Sequence, residues 1–114
     1  MSSRPTHLLV MDIIESIEKI ERYIVDLDHD TFVMDQKGVD AVVWNLQVIG
    51  EAANRIPDAL KEQHREIEWR RIVGLRNRIV HGYFGLDLEI IWEILQHELP
   101  ALKATISDLH LDDG

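Results

Sequence analysis

The chain has 114 residues, 46% of them apolar and 29% charged, with a formal net charge of −9. That is one domain's worth of sequence, residues 1–114, with enough apolar side chains for a single core, and it excludes a disordered chain. The absence of cysteine excludes a disulfide framework, a thiolate zinc site and a catalytic thiol, and the longest apolar runs, Leu8–Met11 and Ala41–Trp44, fall far short of the roughly 20 residues of a membrane-spanning helix.

Met1 to Thr6 is polar and has no apolar segment of the signal-peptide kind, so a cytoplasmic protein is expected. From residue 7 to 27, Val10, Ile13, Ile14, Ile17, Ile20, Ile24 and Leu27 recur with the spacing of one helix face, and Asp12, Glu15, Glu18, Lys19, Glu21 and Arg22 fill the other. The run Asp26–Asp30 breaks the pattern. Thr31 is suited to cap a short turn through Asp35, and Gly38 reads as a loop or a helix start. A second helix spans about Val39 to Arg55, with Val42, Val43, Leu46, Ile49, Ala53 and Ile56 as its stripe. Pro57 ends it or opens the next turn, and residues 58–65 read as a short polar helix or an extended turn.

A third helix is expected from Glu66 through Ile72, Val73, Leu75, Ile79 and Val80, with Gly82 and Gly85 bracketing its end. A fourth begins at Asp87, a good N-cap with Glu89 in the first turn, and carries Leu88, Ile91, Trp92, Leu95 and Leu99. Pro100 kinks it or starts a new segment. The tail to Leu111 has a weaker pattern, and Asp112, Asp113 and Gly114 are expected to fray. No alternating segment or internal repeat competes with this reading. The expected fold is all-α, a four-helix up-and-down bundle with short extra helices. Ile13, Ile17, Leu46 and Ile91 are its core, while Trp44 and Trp69 fit either the core or an interface.

Charge is unevenly distributed. Residues 55–78 hold seven cations, six of them arginine, against four acids, so the rest of the chain carries −12. Arginine is the side chain suited to bidentate phosphate contact. Within that segment and just beyond it lies the block Leu75-Arg-Asn-Arg-Ile-Val-His-Gly-Tyr-Phe-Gly85. On a continuous helix Asn77 and His81, at i and i+4, share a face, and Arg76, Val80 and Tyr83 follow an adjacent one. Arg76 and His81 stand about 140° apart on an ideal helix, an angle a long side chain can bridge. One short stretch would then present a guanidinium for phosphate, an imidazole that exchanges a proton near pH 7, an amide and a phenol. That set suits phosphodiester chemistry without a metal. The plainer alternative is a histidine that complements the negative end of a helix and does nothing else.

Cleavage of RNA by its own 2′-hydroxyl needs both a base and an acid, and only His81 in this block serves near neutral pH. Two copies meeting about a two-fold axis would supply two imidazoles and two arginines. The chemistry therefore predicts a homodimer with the third and fourth helices at its interface.

The pattern Arg76-x4-His81-x-Tyr83, with Asn77 after the arginine, resembles the R-x4-H-x-Y motif of the HEPN superfamily, in particular the HepT toxin family. Asn45-Leu-Gln-Val-Ile-Gly-Glu-Ala-Ala53, Glu68-Trp-Arg-Arg-Ile-Val-Gly-Leu75, Tyr83-Phe-Gly-Leu-Asp87 and Ile91-Trp-Glu-Ile94 resemble HepT segments in the same order across nearly the whole chain. The resemblance implies a helical bundle that dimerises and joins two motifs in one cleft. It also implies a metal-independent endoribonuclease acting as the toxin of a toxin–antitoxin pair. The implied partner is a minimal nucleotidyltransferase antitoxin that transfers AMP to the motif tyrosine, Tyr83. Arg76 would stabilise the pentavalent phosphate, His81 would be general base or acid, and Asn77 would position or polarise. RNA, as tRNA or mRNA, would be the substrate.

Other constellations are weaker. Glu89, Glu93 and His97 have the spacing of metal ligands but read as a solvated face, as do His64 and Glu68. Glu51, in a mostly apolar helix, is placed to pair with Arg76 or Arg78 as supporting residues of the site, or is simply exposed. No Gly-rich nucleotide loop and no H-E-x-x-H motif occurs, so no cofactor and no metal site are expected. The contrasting function is a non-catalytic helical partner that binds and orients a nucleotidyltransferase.

Overall fold

The computed structural model describes residues 4–81 and 85–109, His81 by its backbone alone. Helix α1 spans Thr6–Ile24, α2 His29–Met34, α3 Gln36–Arg55, α4 Asp58–Gln63, α5 Trp69–Val73 and α6 Leu75–Ile79. A short ladder then pairs β1, Val80–His81, with β2, Gly85–Leu86. Helix α7, Leu88–Glu93, passes through a widened turn, Ile94–Glu98, directly into α8, Leu99–Ser107. Four helical members pack in a ring. α3 lies along α1 and also against α5 and α6, α6 touches α7, and α8 returns to α1. The fold is all-α, as expected. Among the described residues no helix is long and apolar enough to cross a membrane.

The core is the set of apolar stripes read from the sequence. Ile13, Ile17, Leu46 and Ile91 are fully buried, joined by Val42, Ile49, Ile79 and Ile94. Each such side chain contributes about 1.5–3 kcal/mol of hydrophobic stabilisation relative to an exposed one. Phe32 is also fully buried and was not part of the expected core. It reaches in from α2, where its ring lies 5.2 Å from that of Trp92. Trp69 is buried and its indole N–H donates to the His64 carbonyl at 3.0 Å, whereas Trp44 is 66% exposed.

Several boundaries differ from the expectation for local reasons. Thr31 is not the cap of α2. Asp28 is, with its carboxylate accepting from the Thr31 amide at 2.8 Å while the Thr31 hydroxyl accepts from the Asp28 amide at 2.9 Å, a reciprocal capping box. Asp35 caps α3 by accepting from the Gly38 amide at 3.1 Å, so α3 starts three residues before Val39. Pro57 sits at the N-cap of α4 just after the extended Ile56 that closes α3. The third helix starts at Trp69 rather than Glu66, because residues 64–67 form turns in which the Ile67 amide bonds to the His64 carbonyl. Pro100 opens α8 with no gap. It has no N–H and its ring crowds the carbonyl four residues back. The preceding turn widens instead, and the Leu99 amide bonds to the Ile94 carbonyl, an i→i+5 pattern. Asp112, Asp113 and Gly114, expected to fray, lie outside the described residues.

The third helix departs most. It breaks at Gly74 and ends at Ile79. Val80 is extended, as suits a β-branched residue, and the Ile79 carbonyl accepts from the Asp87 amide at 2.8 Å instead of from a further helical turn. Asn77 and His81 are therefore not on one helix face, and Arg76 and Val80 do not share one either, while Tyr83 lies outside the described residues.

Two contacts fix where α5 and α6 sit. A Cβ at Gly50 would lie 3.2 Å from the Ile72 carbonyl oxygen and 3.6 Å from that of Val73, so α3 and α5 approach backbone to backbone there. On the other side, Arg78 makes two bonds to the Glu98 carboxylate, at 2.9 and 2.5 Å, and Arg71 a third at 3.1 Å. Arg78, by hydrogen bonding, holds the Glu98 carboxyl below the usual carboxylate range.

Gly50→Leu should therefore destabilise by about 1–3 kcal/mol in urea unfolding through overpacking. Gly50→Ala should cost less, because it adds only the one methyl at the contact and a gain of about 1 kcal/mol in helix propensity offsets part of the crowding. Glu98→Gln should cost about 1 kcal/mol at neutral pH, the modest value proper to a partly exposed ionic cluster. The Glu98 carboxyl is lowered on folding, so its contribution is complete above the ordinary value of 4.5 and is lost as pH falls through the lower folded value. The gap between wild type and Glu98→Gln should close over that acid range in pH-dependent denaturation.

Candidate functional site

The long helix α3 lays down one wall of an open groove. Trp44, Gln47, Val48, Glu51 and Arg55 recur at three- and four-residue intervals on the side of α3 turned away from Val42, Leu46 and Ile49. Arg76 and Asn77 of α6 line the same groove, and Arg4 and Asp12 lie at its α1 end. The groove has a volume of about 570 Å³, within the range of roughly 300–1,000 Å³ usual for binding clefts. Gly50 and Val73 both lie in its lining, so the close contact that seats α5 also shapes the groove.

The charges around it are largely committed. Arg4 grips Asp12 with two bonds of 2.6 and 2.8 Å, and Arg55 donates to Glu51 at 3.2 Å. Glu51 thus lines the groove with Arg76, but its partner is Arg55, one helical turn along α3, and not Arg76 or Arg78. Arg78 is instead turned to Glu98, which raises its pKa mainly through their hydrogen bond. Of the cations in residues 55–78, Arg65 pairs with Glu62 at 2.6 Å and Arg71 with both Glu68 and Glu98. Among the described residues, Arg76 makes no ion pair and is exposed. The arginine excess read from the sequence therefore reduces, at this groove, to one uncommitted guanidinium beside the exposed Asn77 amide. A guanidinium in that state can take a phosphate by two parallel bonds.

His81 belongs to β1, opposite Gly85 in the ladder. Its side chain and all of Tyr83 lie outside the described residues. Arg76 and Asn77 are thus the sequence-predicted site residues brought together in the groove, Glu51 joins them as an ion-paired wall, and Arg78 serves as an anchor on the α8 side.

No group of three His, Asp or Glu side chains among the described residues is arranged to hold a metal ion. Glu93 and His97 face each other at 3.4 Å, but Glu89 turns to His29, whose ring lies 2.8 Å away. His29 carried no pattern in the sequence. In the fold it links α2 to α7, and Asp30, followed by Glu89, raises its pKa by hydrogen bonding. Sequence reasoning also missed Trp44 as a wall of the groove. An aromatic side chain set in the polar stripe of α3 was the available signal.

The sequence matches the family model "Ribonuclease HepT-like" over residues 13–109. It is 37% identical over 98 residues to the "Probable ribonuclease HepT" of Thermococcus cleftensis, covering 86% of this chain and 89% of that one. It is 32% identical over 106 residues to the "Putative RNase MJ1380" of Methanocaldococcus jannaschii, covering 93% and 97%. A further relative in the same organism, "Gamma-glutamylcyclotransferase and putative RNase MJ0434", is 36% identical over 94 residues, and the match occupies 42% of its length. No solved structure matches the chain. With a family match that covers most of the chain and relatives of nearly its own length, this protein belongs to the HepT-like ribonuclease family.

Proposed function

We propose that this protein is a metal-independent endoribonuclease, the toxin of a toxin–antitoxin pair, acting as a homodimer on RNA. The observation that carries the reading is Arg76. It is the arginine of the R-x4-H-x-Y pattern, and it lines the groove with no carboxylate partner among the described residues, while Arg55 and Arg78 are each held by one and Arg71 by two. The names of the relatives support a ribonuclease as the reaction class.

In this reading a scissile phosphate lies on Arg76. The 2′-oxygen of the ribose attacks phosphorus, its proton passing to the His81 imidazole of one copy. The bond to the 5′-oxygen breaks, and that oxygen takes a proton from the protonated His81 of the second copy. The products are a 2′,3′-cyclic phosphate and a 5′-hydroxyl. Arg76 neutralises the charge that builds on the phosphorane, and Asn77 orients a phosphate oxygen. One imidazole cannot be both base and acid in the same turnover, which is why the mechanism calls for two copies.

Tyr83 supplies the control point. Its phenol oxygen would attack the α-phosphate of a nucleoside triphosphate bound by a nucleotidyltransferase antitoxin, and pyrophosphate would leave. The AMP ester adds negative charge and bulk two residues from His81, where it competes with RNA for Arg76.

Protein made without the partner, with its mass confirming an unmodified Tyr83, should cleave tRNA or total RNA in EDTA and leave cyclic-phosphate ends. His81→Ala should lower the rate by about 10²–10⁴-fold, and Arg76→Ala by about 10²–10³-fold. A bare dimer that cleaves nothing, yet binds a nucleotidyltransferase equally well with His81→Ala, would establish instead a non-catalytic partner. Co-expression with the nucleotidyltransferase should add AMP to the wild type, detected by intact mass, and none to Tyr83→Phe.

A further inference from the structure

We infer that Trp44 is a base-stacking platform, so that the groove holds single-stranded RNA with a base against the indole and a neighbouring phosphate on Arg76. This rests on the reading of RNA as substrate and assigns a subsite to it.

Three observations converge. Trp44 is 66% exposed on a helix whose Val39, Val42, Leu46 and Ile49 are buried, and it stands in the lining of the groove that also holds Arg76. An indole presents a flat apolar face on which any base can stack. The groove also contains the amides of Gln47, Asn54 and Asn77, each offering donors and an acceptor to the edge of a base. Finally, the two carboxylates in the lining, Asp12 and Glu51, are each bound by an arginine, Arg4 and Arg55. Their repulsion of a polyanion is offset locally, although the chain as a whole carries −9.

The same surroundings argue against a second copy of the chain as the occupant around Trp44. Leu9, Leu46 and Ala52 in the lining are already buried in the monomer, and the half-buried Val48 and Val73 share it with three amides and the two arginine–carboxylate pairs. The core of a protein–protein interface is depleted in charge and more apolar. One aromatic face among hydrogen-bonding side chains and arginines is the arrangement of a single-strand nucleic-acid site.

The test uses the full chain and a 2′-O-methyl single-stranded oligonucleotide, which lacks the attacking hydroxyl and so reports binding without cleavage. Anisotropy should show Trp44→Ala weakening binding by about 5- to 150-fold, the range for loss of one stacked base. Trp44→Phe should retain most of the affinity. Binding should quench indole fluorescence in the wild type, and that quenching should vanish in Trp44→Ala. Circular dichroism verifies the fold of each variant. Equal affinity of wild type and Trp44→Ala, or no binding by the wild type, overturns the inference. Conversion of a dimer to a monomer by Trp44→Ala in sedimentation also overturns it, and assigns the indole to a contact between copies. The ribonuclease reading is decided separately by cleavage. Wild-type cleavage with KM unchanged in Trp44→Ala removes the stacking site alone. Oligonucleotide binding through Trp44 without any cleavage of RNA retains the site and removes the ribonuclease.

Discussion

The backbone contact between α3 and α5 at Gly50 sets the geometry of the groove. A helix carrying any Cβ there would meet the Ile72 carbonyl at 3.2 Å, closer than such atoms normally pack. Without one, the end of α5 rests on α3, and Gly74 then turns the chain into α6 so that Arg76 and Asn77 line a groove walled by α3. From the opposite side, Glu98 ties Arg71 and Arg78 to the widened turn before α8. The motif-bearing segment is thus held between a close backbone contact and an ionic clamp, with the two short helices α5 and α6 contributing Ile72, Leu75 and Ile79 to the core.

Charge pairing then separates the arginines by role. A net excess of cations in residues 55–78 would, on a featureless helix, make a broad basic face. In the fold most of these arginines meet carboxylates from other turns or other helices, and such pairs on the surface are worth little energy each. Their effect here is to specify. Arg78 becomes a strut, Arg55 neutralises Glu51, and Arg76 stays available. In a protein this acidic, a local site is the form that anion recognition can take, and the proposed RNA site draws on one uncommitted guanidinium with amides and an exposed indole beside it.

Much of the molecule is legible in its residue pattern. The stripe from Val10 to Ile20 and that from Val42 to Ala53 are the buried faces of α1 and α3, because helical periodicity in a chain of this size has one core to point toward. Asp87 is legible as a cap, and its carboxylate accepts from the Ile90 amide at 3.0 Å. The end of the third helix is not legible. Val80 and His81 could continue a helix on spacing alone, and only the Asp87 amide, arriving at the Ile79 carbonyl from a later turn, decides for the ladder. The pairing of Glu51 is equally out of reach. Arg55, Arg76 and Arg78 are all in range by sequence, and the turn of α3 selects the first.

The sequence by itself determined the helical members, the faces they bury and the residue types of the motif, since periodicity, caps and side-chain chemistry are local properties. The family followed from the same residues in order. Tertiary structure decided which cations stay free, that Trp44 stands in a groove and Trp69 in the core, and that Phe32 of α2 packs against Trp92. Those outcomes depend on contacts between segments tens of residues apart, such as Arg78 with Glu98 or His29 with Glu89. The energy of such contacts exists only once the helices have met, so no local pattern encodes them.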